Sequence, residues 1–445
     1  MVKIVLIGAN HSGIACANTV LAKGGENELV IFEKNSKISF LGCGTALWIS
    51  DLIKDPSVLF YCSEEELSKK GAKIHTETEV TNIDFDKKMV YAINKDGKTY
   101  EERYDKLVLS TGSLPIIPDI PGNDLENVLV AKLFQDAERI IEKLKNPDIK
   151  NITVVGAGYI GVELVEAFKK RGKNVTLVSS SDTVLSGYYD DEFGIMMNNN
   201  LSENGINLCL GECVLEIQGK DGKVSKVITT KNTYDADMVI LSTGFRANTD
   251  LGRGKLELFK DCSYKVNRYQ ETSVNDVYAT GDCAAIYDNS IDEYNYIALA
   301  TNAVRSGIVG GHNASGTALE SIGVQGSNGI NIYGLGMFST GITLRRAKEI
   351  GMDVEYTEFE DYQKLEFMKE NNDKVKLRIV YRKDNRQIVG AQLASRVDVS
   401  SLIHMFSLAI QEKVTIDKLA LTDIFFLPHF NKPYNYITMA AITAK

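Results

Sequence analysis

Apolar and polar positions follow one order twice along the chain. Lys3-Ile4-Val5-Leu6-Ile7 is a short β-branched apolar run, followed by Gly8-Ala9-Asn10-His11-Ser12-Gly13 and then by apolar residues at helical spacing from Ile14 to Leu21. This predicts strand, glycine turn, helix, and Cys16 takes a core position in that helix. A second strand, Leu29-Val30-Ile31-Phe32, ends in Glu33. The unit recurs as the strand Asn151 to Val155, the turn Gly156-Ala157-Gly158-Tyr159-Ile160-Gly161, the helix Val162 to Lys170 and the strand Asn174 to Val178. Each copy is followed by an apolar strand ending in Thr-Gly, at Thr111-Gly112 and at Thr243-Gly244, and a third such end, Thr280-Gly281-Asp282, lies further on.

The spacing carries chemistry. Gly8 and Gly156 permit a tight turn, Gly13 and Gly161 let the helix approach the sheet, and the helix N-terminus is then free to hold a pyrophosphate. Asn10 stands where the second glycine is usual, whereas Gly158 keeps it. Glu33 is the acid expected on an adenosine ribose, and Asp282 is expected on ribityl hydroxyls. The duplication predicts two dinucleotides bound side by side, within an α/β fold of two Rossmann-like modules. Pro115, Pro118 and Pro121 punctuate a crossing at Ser113 to Gly122. After about residue 325 the pattern changes to antiparallel strands, Lys374 to Arg382 and Gln387 to Leu393, and a helix, Ser400 to Gln411. An aromatic tail runs from Asp423 to Tyr436 and either packs its own domain or faces a partner subunit.

At 445 residues, two or three domains are expected. A net charge of −9 and a pI near 5.3 argue against nucleic-acid or anionic-membrane partners. The start resembles neither a signal nor a transit peptide, and no 18-residue apolar run exists to span a membrane, so a cytoplasmic location is expected.

Seven cysteines form no C-x-x-C pair, so neither a local dithiol nor a paired-cysteine zinc site is read, and no metal is expected. Cys209 and Cys213 belong to a strand expected at Asn207 to Glu216. Ser39-Phe40-Leu41-Gly42-Cys43-Gly44-Thr45-Ala46-Leu47-Trp48 sets one cysteine between glycines ahead of an apolar helical run. Cys43 reads either as a small buried apolar residue or as a thiol whose pKa the helix dipole lowers. His11, at the start of the first helix, is structural or active, and its ring is expected to be neutral there.

These segments, together with Tyr159-Ile160-Gly161-Val162-Glu163 and Phe425-Phe426-Leu427-Pro428-His429, resemble the single-cysteine branch of the FAD-dependent pyridine nucleotide-disulfide oxidoreductases, in particular its water-forming NADH oxidases. The resemblance implies an FAD domain (1–115 and 246–325) interrupted by an NAD(P)H domain (116–245). A C-terminal α+β dimerisation domain (326–445) would lie near the flavin of the partner in a homodimer.

For FAD it implies Gly8, Asn10, His11, Ser12, Gly13, Glu33, Cys43, Val80, Thr111, Gly112, Ser113, Lys132, Asp282, Leu299, Ala300, Thr301 and Phe425. For NAD(P)H it implies Gly156, Gly158, Tyr159, Ile160, Gly161, Glu163, Ser179, Tyr188, Gly244 and Gly329. Tyr159 would shield the flavin and swing aside for nicotinamide. Hydride from NAD(P)H would pass through FAD to O2, and a Cys43 thiolate, with His11 beside it, would reduce the resulting peroxide to water and become a sulfenic acid.

NADH peroxidase, H2O2-forming oxidase, CoA-disulfide reductase and a flavin-bearing redox sensor stand as alternatives. The CoA reading needs cations, and Ala22 to Glu28 offers only Lys23 beside two acids. One departure is Ser179-Ser180-Ser181, where NADH-specific relatives usually carry an acid. Serines do not repel a 2′-phosphate, so use of NADPH as well as NADH is expected.

Overall fold

The computed structural model describes residues 1–24 and 27–445. In it both repeats form five-stranded, wholly parallel sheets. The first runs Val277–Ala279, Lys106–Leu109, Val2–Ile7, Asn27–Phe32, Ala72–His75. The second runs Val128–Val130, Met238–Leu241, Asn151–Val155, Asn174–Ser179, Asn207–Leu210. Both sheets put the glycine-turn strand at the centre, between the strand ending in Thr-Gly and the second strand of the unit. Strands buried on both faces must be apolar throughout, and Ile4, Val5, Leu6, Leu29, Val30 and Ile31 are fully buried. Each module also carries a three-stranded antiparallel meander, Thr78–Asp84, Met89–Asn94 and Thr99–Arg103 in one, Val214–Lys220, Lys223–Thr229 and Thr233–Asp235 in the other.

The helices begin at His11 and Tyr159, three residues earlier than the apolar spacing suggests. Steric contact explains the early start. A Cβ on Gly13 would lie 2.0 Å from the Gly8 carbonyl oxygen, and one on Gly161 would lie 1.9 Å from that of Gly156. The missing side chains let the first helical turn fold down onto the glycine turn itself.

The modules differ in how the chain reaches their outer strand. Val128–Val130 precedes its module, whereas Val277–Ala279 returns to the first sheet after the second is complete. The outward and return crossings pair with each other, Ser113–Pro115 antiparallel to Phe245–Ala247, so part of the expected linker is a strand. The strand expected at Asn207 to Glu216 is two strands, Asn207–Leu210 and Val214–Lys220. Gly211 breaks it with a φ of +64°, and Cys213 sits exposed in the bend.

Beyond residue 325 comes a five-stranded antiparallel sheet in the order Asn328–Ile332, Leu335–Gly341, Ile388–Ser395, Lys374–Arg382, Val354–Tyr362. The helices Leu402–Gln411 and Tyr436–Ile442 cover it through Ile403, Phe406, Ile437 and Ala440. An ion cluster joins this sheet to the second module. Arg378, 2 % exposed, meets Asp190 at 3.3 Å, Glu192 at 2.9 Å and Glu358 at 2.7 Å. Asp190 also accepts from the backbone amides of Leu344 and Arg345. No helix among the described residues is long and apolar enough to cross a membrane. Of the Ala22 to Glu28 loop, Gly25 and Glu26 lie outside the described residues. Lys23 donates to the Ser315 carbonyl at 3.2 Å and bonds the Thr317 hydroxyl.

Candidate functional site

Both glycine turns open into one cleft of about 1900 Å³, larger than the ~300–1,000 Å³ that a single small ligand occupies. In the first turn Gly8 has a φ of +98°, and in the second Gly156 has a φ of +104°. Neither helix that follows has a side-chain cap, on Asn10 or on Gly158, so the free amides of each first turn face the opening. A Cβ on Gly158 would meet nothing within 4 Å, leaving room for close backbone approach. Glu33 is buried, accepting from the Ala9 amide at 2.8 Å and from the Asn35 backbone at 2.8 Å and side chain at 2.6 Å. The Tyr296 hydroxyl and the Gln325 amide nitrogen are buried without a hydrogen-bond partner, and both residues line the cleft.

Cys43 lies in a single 3-10 turn, Gly42–Gly44, ahead of a helix of only five residues, Thr45–Ile49. Its sulfur is free and faces the cleft. The expected lowering of its pKa is not found. Burial raises it first and the Glu163 carboxylate next, while its own backbone hydrogen bond and Lys132 pull the other way. The helix is too short for its dipole to overcome that desolvation.

Lys132 donates to the Ser113 hydroxyl at 2.7 Å, Ser113 donates to Asp282 at 2.9 Å, and burial lowers the lysine pKa. His11 has a lowered pKa, chiefly from burial, so the ring is neutral as expected. Its Nδ1 meets the Tyr61 hydroxyl at 2.8 Å. Trp48 stacks on Phe134 at 4.9 Å, and Phe40 and Phe60 close around the same ring. This aromatic cluster fixes the cysteine loop.

On the second module's side, Tyr159 and Glu163 are one turn apart on a single helix face and both line the cleft. The Tyr159 hydroxyl meets that of Tyr189 at 2.8 Å and bonds Asn328 of the C-terminal sheet. The Tyr188 ring packs edge-on at 4.5 Å. Burial pushes the Glu163 carboxyl up to about 7.

The cleft wall brings together Gly8, Asn10, His11, Ser12, Glu33, Cys43, Val80, Thr111, Gly112, Ser113, Lys132, Asp282, Leu299, Ala300 and Thr301 with Gly158, Tyr159, Ile160, Glu163, Tyr188, Gly244 and Gly329. Five expected residues stand elsewhere. Gly13, Gly156 and Gly161 lie behind the wall, where their missing Cβ atoms set the packing. The Ser179 side chain is buried and its hydroxyl accepts from the Ser181 amide at 3.2 Å, so it is Ser180 that reaches solvent. Phe425 is 65 % exposed on the tail and does not reach its own chain's cleft. Sequence spacing missed Tyr61, Phe134, Tyr189 and Asn328, which long-range folding brings to the site and no local motif marks.

A family model described as pyridine nucleotide-disulphide oxidoreductase matches residues 2–307, and the dimerisation domain of that family matches residues 334–435. The chain belongs to this family, whose fold combines FAD and NAD modules and whose cofactor is FAD. It is 58 % identical to an NADH oxidase of Streptococcus pyogenes, with all of both chains covered. A water-forming NADH oxidase of Lactobacillus brevis bound to NADH superposes with a TM-score of 0.96 at 38 % identity, over 99 % of this chain and 98 % of that one. An engineered water-forming NADPH oxidase derived from it, bound to NADPH, matches with a TM-score of 0.96 at 38 % identity, over 99 % of this chain and 97 % of that one. The uncapped helix ends, the buried Glu33 and the unpartnered Tyr296 and Gln325 atoms fit nucleotide cofactors in the cleft.

Buried Glu163 keeps its proton in the folded chain to about pH 7, whereas an unfolded chain releases it near the ordinary glutamate value of 4.5. The folded state therefore binds more protons between those values, and stability falls as pH rises through them. In flavin-free protein, Glu163→Gln should gain stability over the parent between pH 5 and pH 8 by on the order of 2 kcal/mol. Parallel unfolding profiles for the two proteins would contradict this.

Proposed function

We propose that this chain is a cytoplasmic, homodimeric NAD(P)H oxidase that reduces O2 to water with two NAD(P)H. The observation carrying the reading is a lone cysteine facing a cleft onto which both glycine turns open. Without a C-x-x-C partner, Cys43 can cycle only through a one-sulfur state. The name of the streptococcal relative supports an NADH oxidase, and that of the Lactobacillus enzyme supports water as its product.

FAD, when bound, relays the two electrons of a hydride from nicotinamide to the oxygen side of the site. The first turn's amides and Glu33 would hold the flavin nucleotide, and Asp282, Ser113 and Lys132 would offer its hydroxyls hydrogen bonds. The second turn's amides would hold the NAD(P)H pyrophosphate. One NAD(P)H, one proton and O2 give NAD(P)+ and H2O2. The Cys43 thiolate then attacks the peroxide O–O bond, and with one proton yields a sulfenic acid and water. A second NAD(P)H returns the sulfenic acid to thiolate and releases the second water. Lys132 favours the thiolate electrostatically, and protonation of Glu163 removes an opposing charge. The exposed tail around Phe425 is the surface a second subunit would cover.

Cys43→Ser removes the peroxide-reducing sulfur and leaves both nucleotide sites in place. The variant should reduce flavin normally and release H2O2 as its main product, measured by peroxide trapping. Water as the main product would contradict the cysteine cycle.

Serines end the second strand of the second module, and Lys231 and the Asp182 carboxylate both stand beside Gly211 at the neighbouring strand end. Lys231 donates to the Leu210 carbonyl at 3.2 Å, and the next amide, Gly211, donates to Ser181 at 3.0 Å. The serines themselves carry no charge to repel a 2′-phosphate, so NADPH should be a competent donor. A kcat/KM for NADPH about a thousandfold below that for NADH would overturn this assignment.

A further inference from the structure

Three separate chain segments are stitched together beside the Cys43 loop. The Ser39 amide donates to the Ala9 carbonyl at 2.9 Å, which fixes the Cys43 loop to the turn that precedes His11. The Ser39 hydroxyl donates to the Cys62 carbonyl at 2.6 Å and accepts from the Cys62 amide at 2.9 Å. The Leu41 amide donates to the Leu59 carbonyl at 2.7 Å. Segment 59–62 is thus held to both the cysteine loop and the histidine turn, and its residue Tyr61 reaches the His11 ring. The two rings are parallel within 3°, with centroids 5.6 Å apart, and Tyr61 Oη lies 2.8 Å from His11 Nδ1.

A neutral imidazole has one N–H and one lone-pair nitrogen. A phenol oxygen is a poor acceptor and its O–H a good donor, so the contact is satisfied best with Tyr61 donating to Nδ1. His11 lines the cleft and Tyr61 stands outside its wall. With Nδ1 taken up by Tyr61, Nε2 is the ring nitrogen left for a partner in the cleft.

We propose that Tyr61 is a positioning residue that locks His11 in the Nε2–H tautomer, giving the cleft a fixed hydrogen-bond donor for the peroxide oxygen that leaves when Cys43 attacks. The ring keeps its proton throughout, and the leaving hydroxide takes its proton from solvent. This rests on the oxidase reading above. Losing the phenol frees the tautomer, and in the Nδ1–H form a lone pair faces the peroxide and repels it.

The test is Tyr61→Phe in the holoenzyme, since phenylalanine keeps the ring packing and removes only the hydroxyl. Long-range 1H–15N histidine spectra should give the Nε2–H pattern for His11 in the parent, its signal assigned with His11→Gln among the five histidines, and a mixed pattern in Tyr61→Phe. The fraction of O2 released as H2O2 should rise about three- to tenfold, as expected for one hydrogen bond, while the KM for NAD(P)H stays unchanged. An Nδ1–H pattern in the parent, or an unchanged tautomer and peroxide fraction in the variant, would overturn the proposal. Stoichiometric H2O2 from the parent enzyme would instead sink the oxidase reading, and the tautomer spectra would still decide the role of Tyr61.

Discussion

The structure depends on how closely two stretches of backbone approach at each glycine turn. A Cβ on Gly8 would lie 2.2 Å from the Ser110 carbonyl oxygen, and one on Gly156 would lie 2.4 Å from that of Ser242. Both glycines also hold a φ near +100°, a region that side chains other than hydrogen rarely enter. This apposition brings the Thr-Gly strand end against the turn and leaves the first helical amides open. The same constraint is met twice, and with one module inserted into the other both turns open into a single cleft.

Within that cleft, charge is arranged in opposition. Lys132 favours the Cys43 thiolate, whereas burial and Glu163 disfavour it. Glu163 itself is raised to about 7, so near neutral pH it can be uncharged and its effect on the sulfur removed. Position matters as much as charge. Ser39, held at a φ of +62°, ties the cysteine loop to two neighbouring segments, and the Phe40, Phe60 and Phe134 rings pack behind it.

What the sequence revealed tracks what is local. The duplicated modules, their central strands and the antiparallel C-terminal sheet were legible because alternation, apolar runs and glycine spacing are properties of neighbouring residues. The cleft-lining glycines, Glu33 and Asp282 followed from motif spacing, and Lys132 and Val80 from family resemblance. The pKa of Cys43 is not legible locally, because it is raised by burial and by Glu163, distant in sequence. The Ser179 hydroxyl, expected on a nucleotide, is instead drawn inward by the turn after it. Tyr61, Tyr189 and Asn328 were invisible for the same reason: each acts through a contact made only when the chain is folded.

Taking O2 to water needs four electrons, and the proposed function passes all of them through this one site. Oxygen consumption measured beside coenzyme oxidation in the intact holoenzyme tests it most directly. Two NAD(P)H oxidised per O2, with no peroxide accumulating, is the predicted result, and one per O2 with matching H2O2 would contradict it.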